Sequence, residues 1–232
     1  MTTTARARVR AEITGEIKAV ARRHLAEEGA AALSLRAVAR ELGMASSAVY
    51  RYFPSRDALL TALIVDAFSA VADAAEAADA SRPREDLEGR WVAVALGVRA
   101  WARAHPHEYA LVYGTPVPGY AAPQDTVDPA QRVNLVGIGI VVDGVARGAV
   151  APGPPLDLPG GVAADFEALR AAVAPGVPDA VLSRGLLVWT QLFGGIGYEL
   201  FGHLQNGIHD HDAFFEMQAR QAAAYLVRGV RP

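Results

Sequence analysis

The run Leu33–Leu63, LSLRAVARELGMASSAVYRYFPSRDALLTAL, limits what this chain can fold into more than any other stretch. Ser34 is placed to cap a helix, its hydroxyl oxygen accepting one of the N–H groups that every helix start leaves open. Leu35, Val38, Ala39 and Leu42 recur at helical spacing and make one apolar face. Gly43 stands where the helix must stop and the backbone needs a positive φ. A second helix starts at Ser46 with Val49 and Phe53 facing inward, and Pro54 ends it because the residue before a proline is pushed out of the α region. Ser55 caps a third helix through Leu59, Leu60, Leu63 and Ile64. Helix, short glycine-containing turn, helix is the shape that lays its second helix in a DNA major groove. The residues left facing outward, Ser46, Ser47, Ala48, Tyr50, Arg51 and Tyr52, are small groups, hydroxyls and a guanidinium, which can approach and bond base edges or phosphates.

The run LSLRAVARELGMASSAVYRYFPSRDALL resembles the TetR-type transcriptional regulators. It has a hydroxyl cap, apolar-Ala-x-x-Leu-Gly, apolar-Tyr-x-x-Phe, and a basic residue opening the next helix. The resemblance implies that Arg36, Ser46, Ser47, Ala48 and Arg51 read bases, and that Tyr50, Tyr52 and Arg56 bind phosphate. Leu35 departs from the pattern, since some members carry a threonine there that can contact phosphate.

Charge supports a polyanion partner at one end only. The net charge is −3, but residues 1–60 hold ten Lys or Arg against six acids, and the remainder twelve against nineteen. A basic head on an acidic body is the asymmetry expected of a nucleic-acid binder. The absence of cysteine excludes disulfide scaffolds, thiolate zinc sites and cysteine nucleophiles, and suits a cytoplasmic location. The longest clean apolar run, Leu135–Val142, is far shorter than the ~20 residues of a membrane span, and Gly185–Gly202 carries Gln191 and Glu199, so no membrane association is expected.

The rest of the chain reads as helices. Residues 1–8 look like a mobile arm whose arginines could reach a minor groove or simply stay solvated. A helix follows from about Val9 to Glu28, with Ile13, Ile17, Val20 and Leu25 on one face. The helix from Ser55 runs on to about Ala80 as a connector. Leu87, Trp91, Val94, Val98 and Trp101 form another stripe; His105–Pro106 ends that helix and opens the next. The combination of Trp, His-Pro, Tyr and Tyr-Gly-x-Pro over residues 101–120 resembles a C-terminal domain carried by some TetR-like regulators and named after its Trp, His and Gly. Proline-rich loops separate helices from Pro129, Val162, Pro178 and Asp210 onward. The expected fold is all-α, nine or ten helices, with a helix-turn-helix head over residues 9–69 (the motif at about 34–53) and a ligand-binding and dimerisation body over 81–230.

Gly194, Gly195 and Gly197 fall inside the most hydrophobic helix, and each interior glycine costs about 0.8–1.0 kcal/mol relative to alanine. Close helix approach across a dimer, or room for a ligand, would offset this. The resemblance favours the dimer, because TetR-like proteins pair through their last two long helices; Trp189, Leu192, Phe193, Ile196 and Leu200 are the expected contacts. Aromatic walls with hydrogen-bonding tips make Trp101, His105, Tyr109, Tyr113, Trp189 and Phe193 the candidate lining of an effector pocket. His209-Asp210-His211-Asp212 sits where the last helix needs an acidic cap, so no metal site is expected there. No nucleophile has a meaningful partner set, and no catalytic residue or cofactor is expected. The reading is thus a homodimeric, ligand-released repressor on a palindromic DNA operator, answering to a small apolar or aromatic effector. The alternative is a helical small-molecule binder or enzyme whose head is only a packing module.

Overall fold

A computed structural model describes residues 5–229. In chain order the elements are α1 (Ala5–Glu28), a 3₁₀ turn (Ala30–Ala32), α2 (Leu35–Glu41), α3 (Ser46–Val49), α4 (Arg56–Ala80), α5 (Leu87–Ala104) and α6 (Pro106–Tyr113). After a second 3₁₀ turn (Gln124–Thr126) come α7 (Val127–Ala146), α8 (Gly160–Ala172), α9 (Asp179–Leu200) and α10 (His211–Arg228). The described residues are therefore all-helical, with ten α-helices, as the periodicity predicts.

The chain divides into two compact units. Of the described residues, one unit holds those through Phe68 together with His105–Pro129; the other holds Ser69–Ala104 and those from Ala130 on. The head is therefore larger than the motif implies. Leu111, Val112, Val117 and Tyr120 pack against its core of Ile17, Val20, Val38, Val49, Leu59, Leu60 and Leu63. The Tyr120 hydroxyl lies 2.9 Å from that of Thr61, and the rings of Phe68 and Tyr113 meet edge-on at 6.0 Å. Burial pushes the phenol pKa values of Tyr109 and Tyr113 up. Lys18 and Arg22 of α1 share the carboxylate of Asp66 on α4 at 2.8 and 2.6 Å.

The capping logic is realised locally. The Ser34 hydroxyl accepts from the N–H of Ala37, Gly43 takes φ +64°, and the Ser55 hydroxyl accepts from Ala58 N–H at 3.0 Å. Helix α1 begins at Ala5 rather than near Val9, so Arg6 and Arg8 are helical, not part of an extended arm; the rest of the expected arm lies outside the described residues.

In the second unit α5, α9 and α10 pack on one another around Trp91, Val94, Val98, Val188, Ile196, Phe215 and Leu226. Two buried arginines tie its helices. Arg90 donates to Asp79 on α4 (2.7 and 3.1 Å) and to Asp143 on α7 (2.8 Å), while Arg99 forks onto Glu199 (2.7 Å to each oxygen) and reaches Asp212 (2.7 Å). Burial works against both charges, and their carboxylate partners more than offset it, so both guanidinium pKa values stay raised. Arg132 of α7 adds an exposed clamp onto Asp73 (2.6 Å) and Glu76 (2.7 Å) of α4. Asp210 caps α10, accepting from Ala213 N–H at 2.9 Å. Helix α4 is long and apolar enough to cross a membrane by length and composition, and Leu59, Leu60, Leu63, Val71 and Ala75 on it are buried in the fold.

Candidate DNA-reading surface and effector cavity

The second helix of the motif is held by two anchors, Val49 (0% exposed) and Phe53 (7%). Regular α-helix ends at Val49, but helical turns continue through Tyr50 N–H to Ser46 O (3.1 Å) and Phe53 N–H to Val49 O (3.0 Å). The rest of the face turns outward: Arg36, Ser46, Ser47, Tyr50 and Arg51 are exposed, and Ala48 is half-buried. Tyr52 is half-buried with the Arg10 guanidinium 5.1 Å over its ring, so α1 braces this helix. Leu35 is buried in the core.

Arg56 is engaged within the head. Its guanidinium donates to the carbonyl oxygens of Ala30 (2.8 Å) and Ala31 (3.3 Å) and lies 3.2 Å from Asp57. It fastens the 3₁₀ turn to the start of α4, leaving little capacity for a phosphate.

The head's basic residues divide in two. Lys18, Arg22, Arg23 and Arg56 are paired with carboxylates. Arg23 and His24 share Glu41 at 2.5 and 2.6 Å, and hydrogen bonds first from Arg23 and then from His24 hold its carboxyl below the usual range. Arg6, Arg8, Arg10, Arg36, Arg40 and Arg51 have no carboxylate partner among the described residues, and they stand on α1, α2 and the recognition turn. An unpaired guanidinium keeps its donors and its charge for an outside anion.

The second unit contains a cavity of about 240 Å³ between α5, α7, α8 and α9. Its walls include Trp91, Ile138, Leu169, Leu182 and Trp189, with Asn134 as a polar group and no charged side chain. The Trp189 indole N–H donates to Asn134 Oδ1 at 3.0 Å, and the rings of Trp91 and Trp189 meet at 6.0 Å. Gly137 makes room for this arrangement: a Cβ there would lie 2.7 Å from the Trp189 ring. Trp91 is 2% exposed, and its Nε1–H has no hydrogen-bond partner among the described residues. Such a buried donor costs about 1–3 kcal/mol when left unmade.

Of the six aromatic or histidine residues expected to line a pocket, only Trp189 lines this one. Phe193 backs it, ring centroids 5.2 Å apart. Trp101 is buried in α5, His105 is exposed, and Tyr109 and Tyr113 belong to the unit that contains the head. Of the expected dimer contacts, Leu192 and Ile196 are buried inside the protomer, while Trp189, Phe193 and Leu200 are half-buried. The outward face of α9 carries Leu187 and Tyr198, with Phe201 exposed just past its end and Met217 exposed on α10. A Cβ on Gly194 would meet nothing within 4 Å, so packing inside one chain gives no reason for that glycine.

A helix-turn-helix with a basic, unpaired outer face, joined to a separate helical body, defines a DNA-binding protein that carries a second domain of its own. Residues 17–63 match the bacterial regulatory proteins of the tetR family, and residues 91–222 match the tetracyclin repressor-like C-terminal domain. The chain belongs to the TetR family of transcriptional regulators. It is 40% identical over 225 residues to the HTH-type transcriptional regulator Rv1816 of Mycobacterium tuberculosis, covering 94% of this chain and 93% of that protein. The same figures hold for Mb1846 of Mycobacterium bovis. It is similar to the crystal structure of SCO4313, with 36% identity, 94% and 98% of the two chains covered and a TM-score of 0.75. A protein of unknown function from Rhodococcus sp. RHA1 shares the fold at 24% identity and a TM-score of 0.70, over 92% of this chain and 95% of that one.

Proposed function

We propose that this regulator is a ligand-released repressor that binds a palindromic operator as a homodimer in the cytoplasm and has no catalytic activity of its own. The observation that carries the reading is the sorting of the head's arginines: those on the outward face are unpaired, and those behind it are neutralised. Arg36, Ser46, Ser47, Ala48 and Arg51 read base edges; Tyr50, with Arg10 and Arg40, contacts phosphate. Tyr52 orients Arg10, and Arg56 serves the head's own stability. Dimerisation uses Leu187, Gly194 and Tyr198 of α9 and Phe201 just past it, with Met217 of α10. Support for that face is its exposed apolar side chains, spaced about a helical turn or two apart around an unfilled glycine.

The reading is tested by gel shift on the DNA flanking the protein's own gene, with the double variant Tyr50→Ala, Arg51→Ala. The expected result is loss of the shift with helicity and dimer retained. Sequence-independent binding by the parent, or an undiminished shift by the variant, would contradict it.

A further inference from the structure

Resting on the ligand-responsive reading, we propose that the cavity between α5, α7, α8 and α9 is the effector site. It takes a neutral, flat molecule the size of two fused rings bearing one hydrogen-bond acceptor. Size comes first. On the scale where a cavity of roughly 150 Å³ holds benzene, the volume of about 240 Å³ suits a bicyclic ring system. Shape follows from the walls: two indoles meet at 6.0 Å, with aliphatic side chains around them, and an aromatic face packs against such surfaces in offset or edge-on geometry.

Charge is excluded by the same lining. No Asp, Glu, Lys, Arg or His borders the cavity, so an ionised ligand would lose its hydration without gaining a partner. The acceptor is called for by two donors. Asn134 uses Oδ1 on Trp189, leaving its amide N–H groups available, and the buried Trp91 Nε1–H has no partner among the described residues. A carbonyl or ether oxygen on the ligand would pair with Trp91 Nε1–H, the buried one of the two, since Asn134 is exposed. Trp91 also borders a second cavity of about 20 Å³, room for one water, so its donor has to be tested separately from the ligand's fit.

The test uses 2-acetonaphthone, 2-isopropylnaphthalene and 2-naphthoate, which match in size and differ in acceptor and charge, titrated calorimetrically into the full-length protein. The ketone should bind at least about tenfold more tightly than the carboxylate, with the hydrocarbon between them. Gly185→Leu fills the cavity from α9. A Cβ there meets only Val141 Cγ2 at the ordinary distance of 3.7 Å, and leucine favours helix. This variant should keep its melting temperature and operator affinity while losing ligand binding by about tenfold or more. Trp91→Phe should bring the ketone down to the hydrocarbon's affinity.

Carboxylate binding as tight as the ketone's, no binding by any of the three, or unchanged binding in folded Gly185→Leu would each overturn the assignment. Equal losses for ketone and hydrocarbon in Trp91→Phe would overturn the acceptor. Operator binding read in parallel keeps the two readings apart. Ligand bound in the cavity without operator release refutes ligand control, whereas release persisting in Gly185→Leu refutes this site.

Discussion

Arg10→Ala and Arg40→Ala should each flatten the salt dependence of operator binding, Arg36→Ala and Arg51→Ala should relax its sequence discrimination, and Arg23→Ala should change neither. The contrast comes from the partners. Arg23 lies 2.5 Å from Glu41, so its charge is already matched within the protein. Arg10, Arg36, Arg40 and Arg51 are exposed and have no carboxylate partner among the described residues. Each phosphate neutralised contributes about −0.9 to the slope of log K against log salt. A two-fold dimer loses the contact twice, so one phosphate-binding arginine should change the slope by about 1.8. Between about 50 and about 200 mM salt, that change amounts to roughly a tenfold difference in how far affinity falls. An arginine that reads a base edge would instead relax discrimination by about 1–3 kcal/mol per site. Anisotropy of a labelled operator and of a scrambled duplex, over a series of salt concentrations, separates the two. The reasoning fails if Arg23→Ala shifts the slope as much as Arg10→Ala or Arg40→Ala, or if Arg36→Ala and Arg51→Ala leave discrimination unchanged.

Tyr198→Lys puts a charge on the exposed α9 face and should give monomers in sedimentation at micromolar protein. Burying Tyr198 and Leu187 at an interface would contribute about 1.5–3 kcal/mol each, and an undisturbed dimer would place the interface elsewhere. Arg90→Ala removes a fully buried guanidinium from Asp79 and Asp143, leaving them the exposed Arg84 as partner (2.9 and 2.7 Å), and should cost about 1–3 kcal/mol, read as a lower urea midpoint with unchanged slope. Asp212 is held below its ordinary 3.8, first by the hydrogen bond from Arg99 and then by the charges of Arg99 and Arg103. Its folded pKa is thus lower than its unfolded one, so its contribution is complete above the ordinary value and is lost as pH falls through the folded one. Asp212→Asn should therefore flatten the acid limb of the stability profile, measured from about pH 6 to about pH 3; an unchanged limb would count against the ion pair.

The head was legible because its signals are local. Ser34, Gly43, Pro54 and Ser55 act on backbone within three or four residues, and Val49 and Phe53 share a face by helical spacing alone. The body was less so, because its function depends on which elements meet. An aromatic stripe reports burial without saying whether core or cavity lies beyond it, so the stripe of Trp101, Tyr109 and Tyr113 does not point to the cavity that Trp91 and Trp189 line. Gly137 and Gly185 shape the cavity by lacking side chains, which leaves no periodicity to read. Arg90 looks like a surface residue until Asp79 and Asp143 are brought around it. Helix α9 is apolar nearly all round, so the phase that packs inward, Leu192 and Ile196, could not be told from the outward one, Leu187 and Tyr198. The segment His105–Pro129 joins the head through long-range packing that no local pattern announces.

The central claim is that two copies of the head read one symmetric stretch of DNA. Hydroxyl-radical footprinting of the protein on the DNA flanking its gene addresses this directly. Two protected half-sites related by a dyad are predicted, with centres about 34–36 Å apart or a multiple of that spacing, and both lost together in Arg51→Ala. A single protected patch, or protection that ignores sequence, would contradict the account.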